Sequence, residues 1–544
     1  MSSRTKTTNP WIVLVVLCCG FFMILLDTTV VQIAIPNMLD GLHTTLDQIL
    51  WVVNAYILVY AVLLITAGRM GDMYGQRNLF AVGLVIFTAG SAYCGLAPDV
   101  THLVVARVLQ GVGGALLTPQ TLAILTTLFP ADKRGAAFGI WGGIAGIAAI
   151  AGPTLGGFLV TNFSWRWIFF INVPIGILTL IATFVLIPDM RVGQSHRFDV
   201  GGVLLASAGL FGIVFGLVEG QRFNWGSIVG PISVPLIIGL GVLVMGVFVW
   251  WESRQAEPLV PLPLFKDRNF SLMNWIGLAV SFGMLGFFLP IVIYFQSVLG
   301  LTALQTGLAI LPMSGLTMVI APFAGRLADR YGGKYFLFGG NLLFALGMAW
   351  LALSVSSTAG EWSFLPCFLL TGVGLGMVFA PMATIAMRNI KPDMAGAASG
   401  VFNTTRQLGS VIGTAVVGAI LQNQLATNLV SQAQSASQAL PAQFRPQFLQ
   451  GFAQAAQGGL QVGPGQDISG QLPPGIPAQV AQQLVQVVHQ VFTQAFVDAV
   501  RPTLAAPVAL MFVGALSALF IRRRKAAAGG VAEESRPEVM ALAG

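Results

Sequence analysis

Charged residues are scarce in this 544-residue sequence: Asp, Glu, Lys and Arg make up 9% of the chain, whereas hydrophobic residues make up 56%. Soluble domains carry roughly 25% charged residues, so a soluble globular protein is excluded. Cysteine is also scarce, and the four cysteines fall inside apolar runs without the spacing of a disulfide framework or a zinc site. We interpret them as small core residues. They are Cys18, Cys19, Cys94 and Cys367.

Groups that carry catalysis are equally sparse. The four histidines, at positions 43, 102, 196 and 489, lie far apart in the sequence. No Ser/His/Asp arrangement or soluble catalytic domain accompanies them, so we expect no enzyme, no metal and no cofactor. The sequence also has no ATP-binding motif, so transport work would have to be driven by an ion gradient.

Long apolar runs are abundant instead. Fourteen stretches reach the length of about 20 residues that a helix needs to cross a bilayer. They cover residues 11–35, 48–67, 79–97, 101–129, 136–161, 166–187, 200–219, 229–251, 271–297, 305–324, 335–355, 363–387, 397–421 and 499–521. No cleavable-signal pattern precedes the first stretch, so we expect it to remain as a transmembrane helix.

Basic residues are distributed unequally between the two sides of these spans. With the N-terminus inside, 21 of the 27 lysines and arginines fall in inner loops. This distribution obeys the positive-inside rule and predicts a multi-pass cell-membrane protein with both termini in the cytoplasm. The positive charge then faces cytoplasm and anionic lipid rather than nucleic acid. The remaining basic residues are Arg166, Arg222, Arg445 and Arg501 outside, and Arg107 and Arg406 within spans.

Two short segments repeat each other: residues 68–77 read GRMGDMYGQR and residues 325–334 read GRLADRYGGK. Each follows the second span of a six-span set, so the repeat predicts a duplicated membrane body. We expect an N-terminal half at residues 1–190, and two extra helices with an inner linker at 191–268. The C-terminal half would cover 269–525, and a cytoplasmic tail 526–544.

One outer loop, residues 422–496, is much longer than the others. It contains 19 glutamines, but Arg445 and Asp467 are its only fixed charges. It is interpreted either as a mobile polar insertion or as a short amphipathic helix that rests on the outer surface as a partial lid. The helical spacing of the apolar residues between Val480 and Phe492 supports the second interpretation.

Ionisable side chains well inside a span are functional candidates, because each costs at least ~2.5–3.5 kcal/mol to insert. The sequence has three: Asp27, Arg107 and Arg406. Asp27 and Arg107 are expected ~12 Å and ~9 Å from the outer ends of their helices, at similar depth. A carboxyl whose distance from a basic partner changes between states binds a proton in one state and releases it in the other. A fixed ion pair is the alternative, and Arg406 has the alternative role of tying helices together.

The repeated loop and five further motifs carry a family resemblance. The chain closely resembles the major facilitator superfamily, and more narrowly its fourteen-helix drug:proton antiporter branch, the QacA/EmrB-like proteins. Besides the repeated loop, the motifs are residues 26–36 (LDTTVVQIAIP), 107–115 (RVLQGVGGA), 152–157 (GPTLGG), 165–174 (WRWIFFINVP) and 400–409 (GVFNTTRQLG). The resemblance implies an all-α integral membrane protein with the major facilitator fold: two six-helix halves plus two extra helices, fourteen transmembrane helices in all.

The resemblance also implies a function, a proton-coupled multidrug or secondary-metabolite efflux antiporter that works by alternating access. A solute-specific symporter or uniporter of the same fold is the alternative. In this family the Asp of the first span and the Arg of the fourth, here Asp27 and Arg107, line the cavity and serve in coupling. The element of the fifth span, which seals the cavity, comprises Gly152, Pro153, Gly156 and Gly157.

The repeated loops would act as a latch that holds the inner gate shut while the transporter faces outward. Asp72 and Asp329 would each cap a neighbouring helix N-terminus or pair with a nearby Arg; a solvated turn is the alternative. The other gating residues are Gly68, Gly75, Arg77, Gly325, Arg330 and Gly332.

Substrate contacts are expected from polar and aromatic side chains within the spans. A carboxylate among aromatic rings suits lipophilic cations, while the arginines leave room for neutral or anionic amphiphiles. The expected partners are therefore amphipathic small molecules, lipophilic cations among them, together with protons and the lipid bilayer, for a monomeric protein. The candidates are Asn54, Tyr56, Tyr60, Trp275, Phe282, Tyr294, Gln296, Asn403 and Arg406.

Overall fold

The computed structural model describes residues 9–44, 46–130, 133–189, 199–357, 359–438, 445–458 and 478–522. Over these residues the chain is helical except for short connections and one small hairpin. The predicted tail 526–544, the basic residues Arg4 and Lys6, and the Pro- and Gly-rich part of the long outer loop lie outside the described residues.

The helices follow one another with short connections, and sixteen are described. The N-terminal half contains α1 (Pro10–Leu42), α2 (Leu46–Tyr74), α3 (Gln76–Leu96), α4 (Val100–Leu128), α5 (Arg134–Asn162), α6 (Trp167–Phe170) and α7 (Asn172–Leu186). Two further helices are α8 (Val200–Glu219) and α9 (Val234–Glu252). The C-terminal half contains α10 (Arg268–Ile293), α11 (Ala303–Tyr331), α12 (Lys334–Ser354), α13 (Leu365–Ala386), α14 (Ala395–Ser437), α15 (Arg445–Gly458) and α16 (Ala478–Ala518).

The helices account for all fourteen predicted spans. Thirteen stretches in the described chain are long and apolar enough to cross a membrane, with α6 and α7 together forming one of them. The 29-residue helix α5, in which Arg134 is the only ionisable residue, is the fourteenth. The prediction of an all-α membrane protein with fourteen spans is thereby confirmed.

Three predicted spans differ from single regular helices or from their predicted start. The sixth span is interrupted at Ile171, between α6 and α7. The eighth was expected from residue 229, but α9 begins at Val234, after a hairpin of β1 (Ser227–Val229) and β2 (Ile232–Ser233) that turns at Gly230 with φ +54°. The ninth ends in a π-helical turn, Tyr294–Val298. Hydropathy alone detects none of these changes, because it does not separate helix from strand or from a wider helical turn.

The helices pack as two bundles with a defined seam. Within the N-terminal half, α4 packs on α2 and α3, and α1 packs on α5; within the C-terminal half, α13 packs on α11 and α12, and α14 on α10 and α16. The halves meet mainly where α5 lies against α11 and α2 lies against α14. The pair α8–α9 contacts α2 and α14 through α8, so it lies beside this seam.

Glycines allow the helices of the two halves to touch backbone to backbone along this seam. A Cβ added at Gly68 would overlap Gly396 and Gly400 on α14, and one added at Gly325 would overlap Gly135 on α5. Small residues permit this close approach between membrane helices. Two glycines of the repeated motifs therefore serve helix packing between the halves.

The described part of the Gln-rich region is helical, which corrects the expectation of a mobile insertion between spans ending at 421 and beginning at 499. Helix α14 continues to Ser437 and α16 begins at Ala478, and the two pack together beyond the membrane. Leu425, Leu429 and Ala433 are buried, and Asn428 Nδ2 donates to Ala495 O at 3.4 Å. We call residues 422–437 and 485–496 the outer arm. Hydropathy missed it because glutamines occupy the positions between its buried residues.

Replacing Leu429 with Asp is expected to open the outer arm, because its side chain is 1% exposed and a carboxylate there has no ionic partner in the packed arm. Hydrogen–deuterium exchange of residues 422–437 should accelerate by roughly tenfold or more, since burial of an unpaired charge costs more than the 1.4 kcal/mol that a factor of ten represents. Val430→Asp, at a neighbouring position that is 37% exposed, is the control. Equal exchange in the two variants would contradict the packing.

Candidate functional site

Each repeated motif is the end of a helix followed by one or two glycines, Gly75 in the first and Gly332 with Gly333 in the second, rather than the loop that the sequence suggested. Residues 68–74 complete α2, and residues 325–331 complete α11. The chain then turns at Gly75, with φ 91°, and at the equivalent Gly332, with φ 86°. Only glycine adopts such φ angles without steric cost. The glycine that both motifs share therefore accounts for the same turn in each half. We call the end of the bundle that carries Gly75 and Gly332 the inner end.

The two aspartates of the motifs cap helices of the opposite half. Asp72 accepts hydrogen bonds from the backbone N–H groups of Gly396, at 2.7 Å, and Ala397, at 2.8 Å, at the start of α14. Asp329 accepts from the N–H of Gly135 at the start of α5, at 2.9 and 3.1 Å. A carboxylate at a helix N-terminus satisfies free N–H groups and the helix dipole. The predicted helix capping is therefore present, and it crosses the seam twice.

Further contacts close the inner end around these caps. Ser399 Oγ of α14 donates to the carbonyl of Pro119 on α4 at 2.8 Å, again from one half to the other. Along α5, a Cβ at Gly139 would lie 2.6 Å from Ala321 O, and one at Gly146 would lie 2.8 Å from Ser314 O, both on α11. The two halves are thus in tight contact from the inner end to about the middle of α5.

The two gating arginines lie beside the caps without forming them. The Arg77 guanidinium donates to the carbonyl of Ile187 at 3.2 Å and lies 5.6 Å from the centre of the Phe184 ring, so it fastens α3 to α7. The Arg330 guanidinium lies 5.3 Å from the ring centre of its neighbour Tyr331. Arg77 therefore supports packing within the N-terminal half.

Deep in the N-terminal half, Asp27 of α1 and Arg107 of α4 form an ion pair, with each residue 1% exposed. Arg107 Nη1 donates to Asp27 Oδ2 and to Gln110 Oε1, the latter at 2.8 Å, and Nε donates to Val52 O at 2.9 Å. Gln110 Nε2 donates to Asp27 Oδ1 at 2.8 Å. The structure thus brings together the two residues that the sequence singled out for coupling, inside a closed polar cluster.

Sequence reasoning missed two members of this cluster, Gln110 and Asn172. Asn172, the first residue of α7, donates to Asp27 Oδ1 at 3.4 Å and to Ser91 Oγ at 3.1 Å. The signal for Gln110 was its position three residues after Arg107, on the same helix face. The signal for Asn172 was an amide side chain within an apolar span, because a buried polar group must find a hydrogen-bond partner. In the structure this side chain is fully buried.

An aromatic stack leads from the ion pair to the seam between the halves. The Arg107 guanidinium lies 4.2 Å from the centre of the Tyr56 ring, and Tyr56 stacks on Tyr60 at 5.9 Å with an interplanar angle of 9°. Tyr60 donates its hydroxyl to Thr118 Oγ1 at 3.1 Å. Tyr60 lies on α2, which packs against α14, the helix of the other half that carries Arg406.

Arg406 differs from Arg107 in having no acidic partner among the described residues. Its guanidinium lies 5.5 Å from the ring centre of Phe379 on α13 and 5.8 Å from that of Phe402. Its buried Nε has no acceptor in the described structure. Arg107, Tyr56 and Tyr60 contact one another in turn in the N-terminal half, and Arg406 lies on α14, which packs against the α2 helix that carries both tyrosines. We call these four residues the central array.

Among the described residues, the other substrate candidates form no hydrogen bond or ring contact with the central array. Most of their polar groups are occupied by local contacts: Asn403 Nδ2 donates to Ser399 O, Tyr294 Oη to Ser356 O and Trp275 Nε1 to Ser517 Oγ. The Phe282 backbone packs against Gly413, and Gln296 is exposed in the π-helical turn after α10. Of the predicted set, Tyr56 and Tyr60 contact each other, and Arg406 lies on the neighbouring helix α14.

Glu219 is the last residue of α8, and its side chain is 2% exposed. It accepts hydrogen bonds from Asn54 Nδ2 of α2 at 3.4 Å and from Arg222 Nη1 at 3.1 Å. Two residues on, Gln221 Nε2 donates to Ala415 O of α14 at 3.2 Å. The end of α8 thus joins α2 and α14, one from each half, on the side of the seam opposite the inner end.

The element of the fifth span lies against α1, next to the ion pair. A Cβ at Gly152 would overlap Thr29, two residues after Asp27, and one at Gly156 would lie 3.3 Å from Val30. A Cβ at Gly157 would meet nothing within 4 Å. Pro153 lies in the same helix, but its side chain is outside the described part of the structure. The close approach of α5 to Asp27 thus depends on Gly152 and Gly156.

Two helical bundles in one chain, a polar cluster at mid-depth and gating contacts across the seam define a secondary transporter of the alternating-access class. The sequence profile of the Major Facilitator Superfamily matches residues 17–414. The chain belongs to this superfamily, as the sequence motifs indicated.

Two similar relatives come from actinobacteria. The uncharacterized MFS-type transporter Rv1250 of Mycobacterium tuberculosis is 43% identical over 422 residues, which cover 77% of this chain and 72% of Rv1250. The tetracenomycin C resistance and export protein of Streptomyces glaucescens is 35% identical over 418 residues, which cover 77% of each chain. The fold resembles the crystal structure of the human organic anion transporter MFSD10, with TM-score 0.58, 11% identity, and coverage of 92% of this chain and 99% of that chain.

The glycines of α5 generate a prediction with a built-in control. Gly152→Ala is expected to push α5 away from Thr29 and to distort the surroundings of Asp27, because overpacking of a tight contact costs about 1–3 kcal/mol. Gly157→Ala has room and should behave as the wild type. Thermal unfolding of the purified protein and leak of protons into proteoliposomes would be measured for both. Equal behaviour of the two variants would rule out the contact as a seal.

The helix caps that cross the seam generate a second prediction. Asp72→Asn and Asp329→Asn each replace charge-assisted hydrogen bonds, which contribute about 1.5–3 kcal/mol, so we expect the closed inner end to lose roughly tenfold or more in population. Spin labels at the inner ends of α5 and α11 would report the separation by pulsed electron paramagnetic resonance. Asp393→Asn, three residues before Gly396 on the chain, is the control. An unchanged distance distribution in the variant that carries both substitutions would show that the two caps do not hold the inner end closed.

Proposed function

We propose that the protein is a proton-driven exporter of amphipathic small molecules. The observation that carries the proposal is the buried pair of Asp27 and Arg107 at the start of an array with residues in both halves. The names of similar proteins support export: besides the tetracenomycin C exporter, the multidrug resistance protein Stp of Mycobacterium tuberculosis and the puromycin resistance protein pur8 of Streptomyces alboniger are each 35% identical to this chain.

The ion pair provides the chemistry that proton exchange needs. Ionised Asp27 balances Arg107 inside the membrane, whereas protonated Asp27 leaves the guanidinium without a counter-charge. A buried charge that loses its partner is strongly destabilised. Protonation therefore favours any arrangement in which Arg107 finds other acceptors, such as Gln110 or the Val52 carbonyl that it already contacts. Protonation and conformation are linked by this differential stability.

The helix caps provide the gate. In the structure both Asp72 and Asp329 hold the opposite half, so the inner end is closed. Opening it breaks both caps and the Ser399–Pro119 contact at once. On the other side of the seam, the Glu219–Asn54 and Gln221–Ala415 contacts connect α8 to both halves. We propose that alternating access exchanges these two sets of contacts.

The energy source follows from the same reasoning. The proton gradient drives the cycle, and the mechanism assigns no step to a bound cofactor. Every residue of the ion pair and of the central array comes from one chain, so we propose that the monomer is the functional unit. The distribution of basic residues supports cytoplasmic termini, with the closed inner end facing the cytoplasm.

Asp27→Asn fixes the uncharged form of the side chain and is expected to abolish coupling while substrate binding persists. A one-proton exchanger in a gradient of two pH units sustains a substrate ratio of about 100, since each pH unit corresponds to about 1.36 kcal/mol. In Asp27→Asn proteoliposomes we expect this ratio to fall to about 1. Accumulation of the anionic dye fluorescein and of the cationic dye rhodamine 6G would be measured with and without a protonophore, so that the result does not depend on the sign of the substrate's charge.

The control for this experiment is Asp99→Asn, which removes an exposed carboxylate at the N-cap of α4. It should retain the wild-type ratio. Equal proton movement in the wild type and Asp27→Asn would show that Asp27 is structural. Accumulation of substrate together with protons, rather than against them, would favour the symporter alternative.

A further inference from the structure

Arg406 lies eleven residues into α14, about 16 Å from its start at helical rise, so it lies within the membrane-spanning region. Its side chain is partly exposed inside the bundle rather than fully packed. It lies against the rings of Phe379 and Phe402 of its own half, on α14, which packs against α2 of the other half. This guanidinium therefore borders the seam along which a transported molecule must pass.

No acidic side chain in the described part of the chain neutralises the charge of Arg406. The acidic side chain at the opposite end of the central array, Asp27, is engaged by Arg107, Gln110 and Asn172. Among the described residues none forms an ion pair with Arg406, and its buried Nε has no acceptor. A lone cation within a membrane span is unfavourable unless an anion joins it. The central array thus carries a net positive charge at this end.

Resting on the proposed export function, we infer that Arg406 binds the anionic group of the transported molecule, and that the substrates are flat aromatic anions such as phenolates and aromatic carboxylates. The planar guanidinium offers parallel N–H donors that suit these oxygens. The flanking rings of Phe379 and Phe402 make the surroundings of Arg406 apolar, which suits an aromatic body.

The same geometry argues against the lipophilic cations that the sequence suggested. Cation–π attraction requires a ring face that is free to receive a cation. The Tyr56 ring already faces Arg107, and the rings of Phe379 and Phe402 already face Arg406. A cationic substrate would therefore meet occupied rings and a like charge.

A pair of dyes with the same aromatic body tests the sign of charge directly. Fluorescein is an anionic xanthene at pH 8, and rhodamine 6G is a cationic one. Binding of each dye to the full-length protein in nanodiscs would be measured by fluorescence anisotropy for the wild type, Arg406→Gln, Arg406→Lys and the control Arg254→Gln. Arg254 is an exposed arginine that follows α9.

The wild type should bind fluorescein more tightly than rhodamine 6G. Arg406→Gln should weaken fluorescein binding roughly tenfold or more, as expected for loss of a charge-assisted contact, and should leave rhodamine 6G binding unchanged or tighter. Arg406→Lys should give an intermediate affinity for fluorescein, because it keeps the charge and loses the fork. Arg254→Gln should match the wild type.

The inference is overturned if the wild type does not bind fluorescein, if it prefers rhodamine 6G, or if Arg406→Gln weakens both dyes equally. Failure of the proposed function has a different signature. In that case fluorescein binding would depend on Arg406, but the wild type would not accumulate dye in a protonophore-sensitive manner in proteoliposomes. Protonophore-sensitive export of rhodamine 6G, unchanged in Arg406→Gln, would instead retain the exporter and reject the anion site.

Discussion

A charge inside a bilayer has to be balanced, and this constraint organises the membrane interior of the protein. Burial of an uncompensated ion costs at least ~2.5–3.5 kcal/mol even on the most lenient scales. Asp27 and Arg107 meet the constraint by pairing within a cluster that includes Gln110 and Asn172. Arg406 does not meet it within the described chain, and our proposals of a coupling site at Asp27 and of an external anion at Arg406 rest on this difference between the two arginines.

The same helices carry the coupling site, the central array and the gate, so a local change at one place is transmitted to the others. Helix α2 carries Tyr56 and, sixteen residues later, Asp72, which is about 24 Å at helical rise. Helix α14 receives the cap of Asp72 at Gly396 and carries Arg406 ten residues further on. A rigid helix that tilts at its centre must also move at its end. The backbones of α2 and α14 are in close contact at Gly68 and Gly396, so neither helix can shift there without displacing the other.

Much of this arrangement was predictable from the sequence, for identifiable reasons. The spans, the duplication and the importance of Asp27 and Arg107 follow from hydropathy, from repetition and from the cost of a charge in lipid. Helix capping by Asp72 and Asp329 was predictable as a type of contact, but not its partners, because the sequence does not say that each aspartate reaches across to the other half. The outer arm was missed because its helices bury a narrow strip, including Leu425 and Leu429, among glutamines.

The position of Arg406 beside the seam was beyond the sequence for a deeper reason. It depends on how closely α2 and α14, which belong to different halves, are packed at Gly68, Gly396 and Gly400. The Asp72 cap joins the same two helices, so the surroundings of Arg406 and the closed inner end depend on the same packing. An anion bound at Arg406, as we infer, would therefore be sensitive to any change in the contact between α2 and α14.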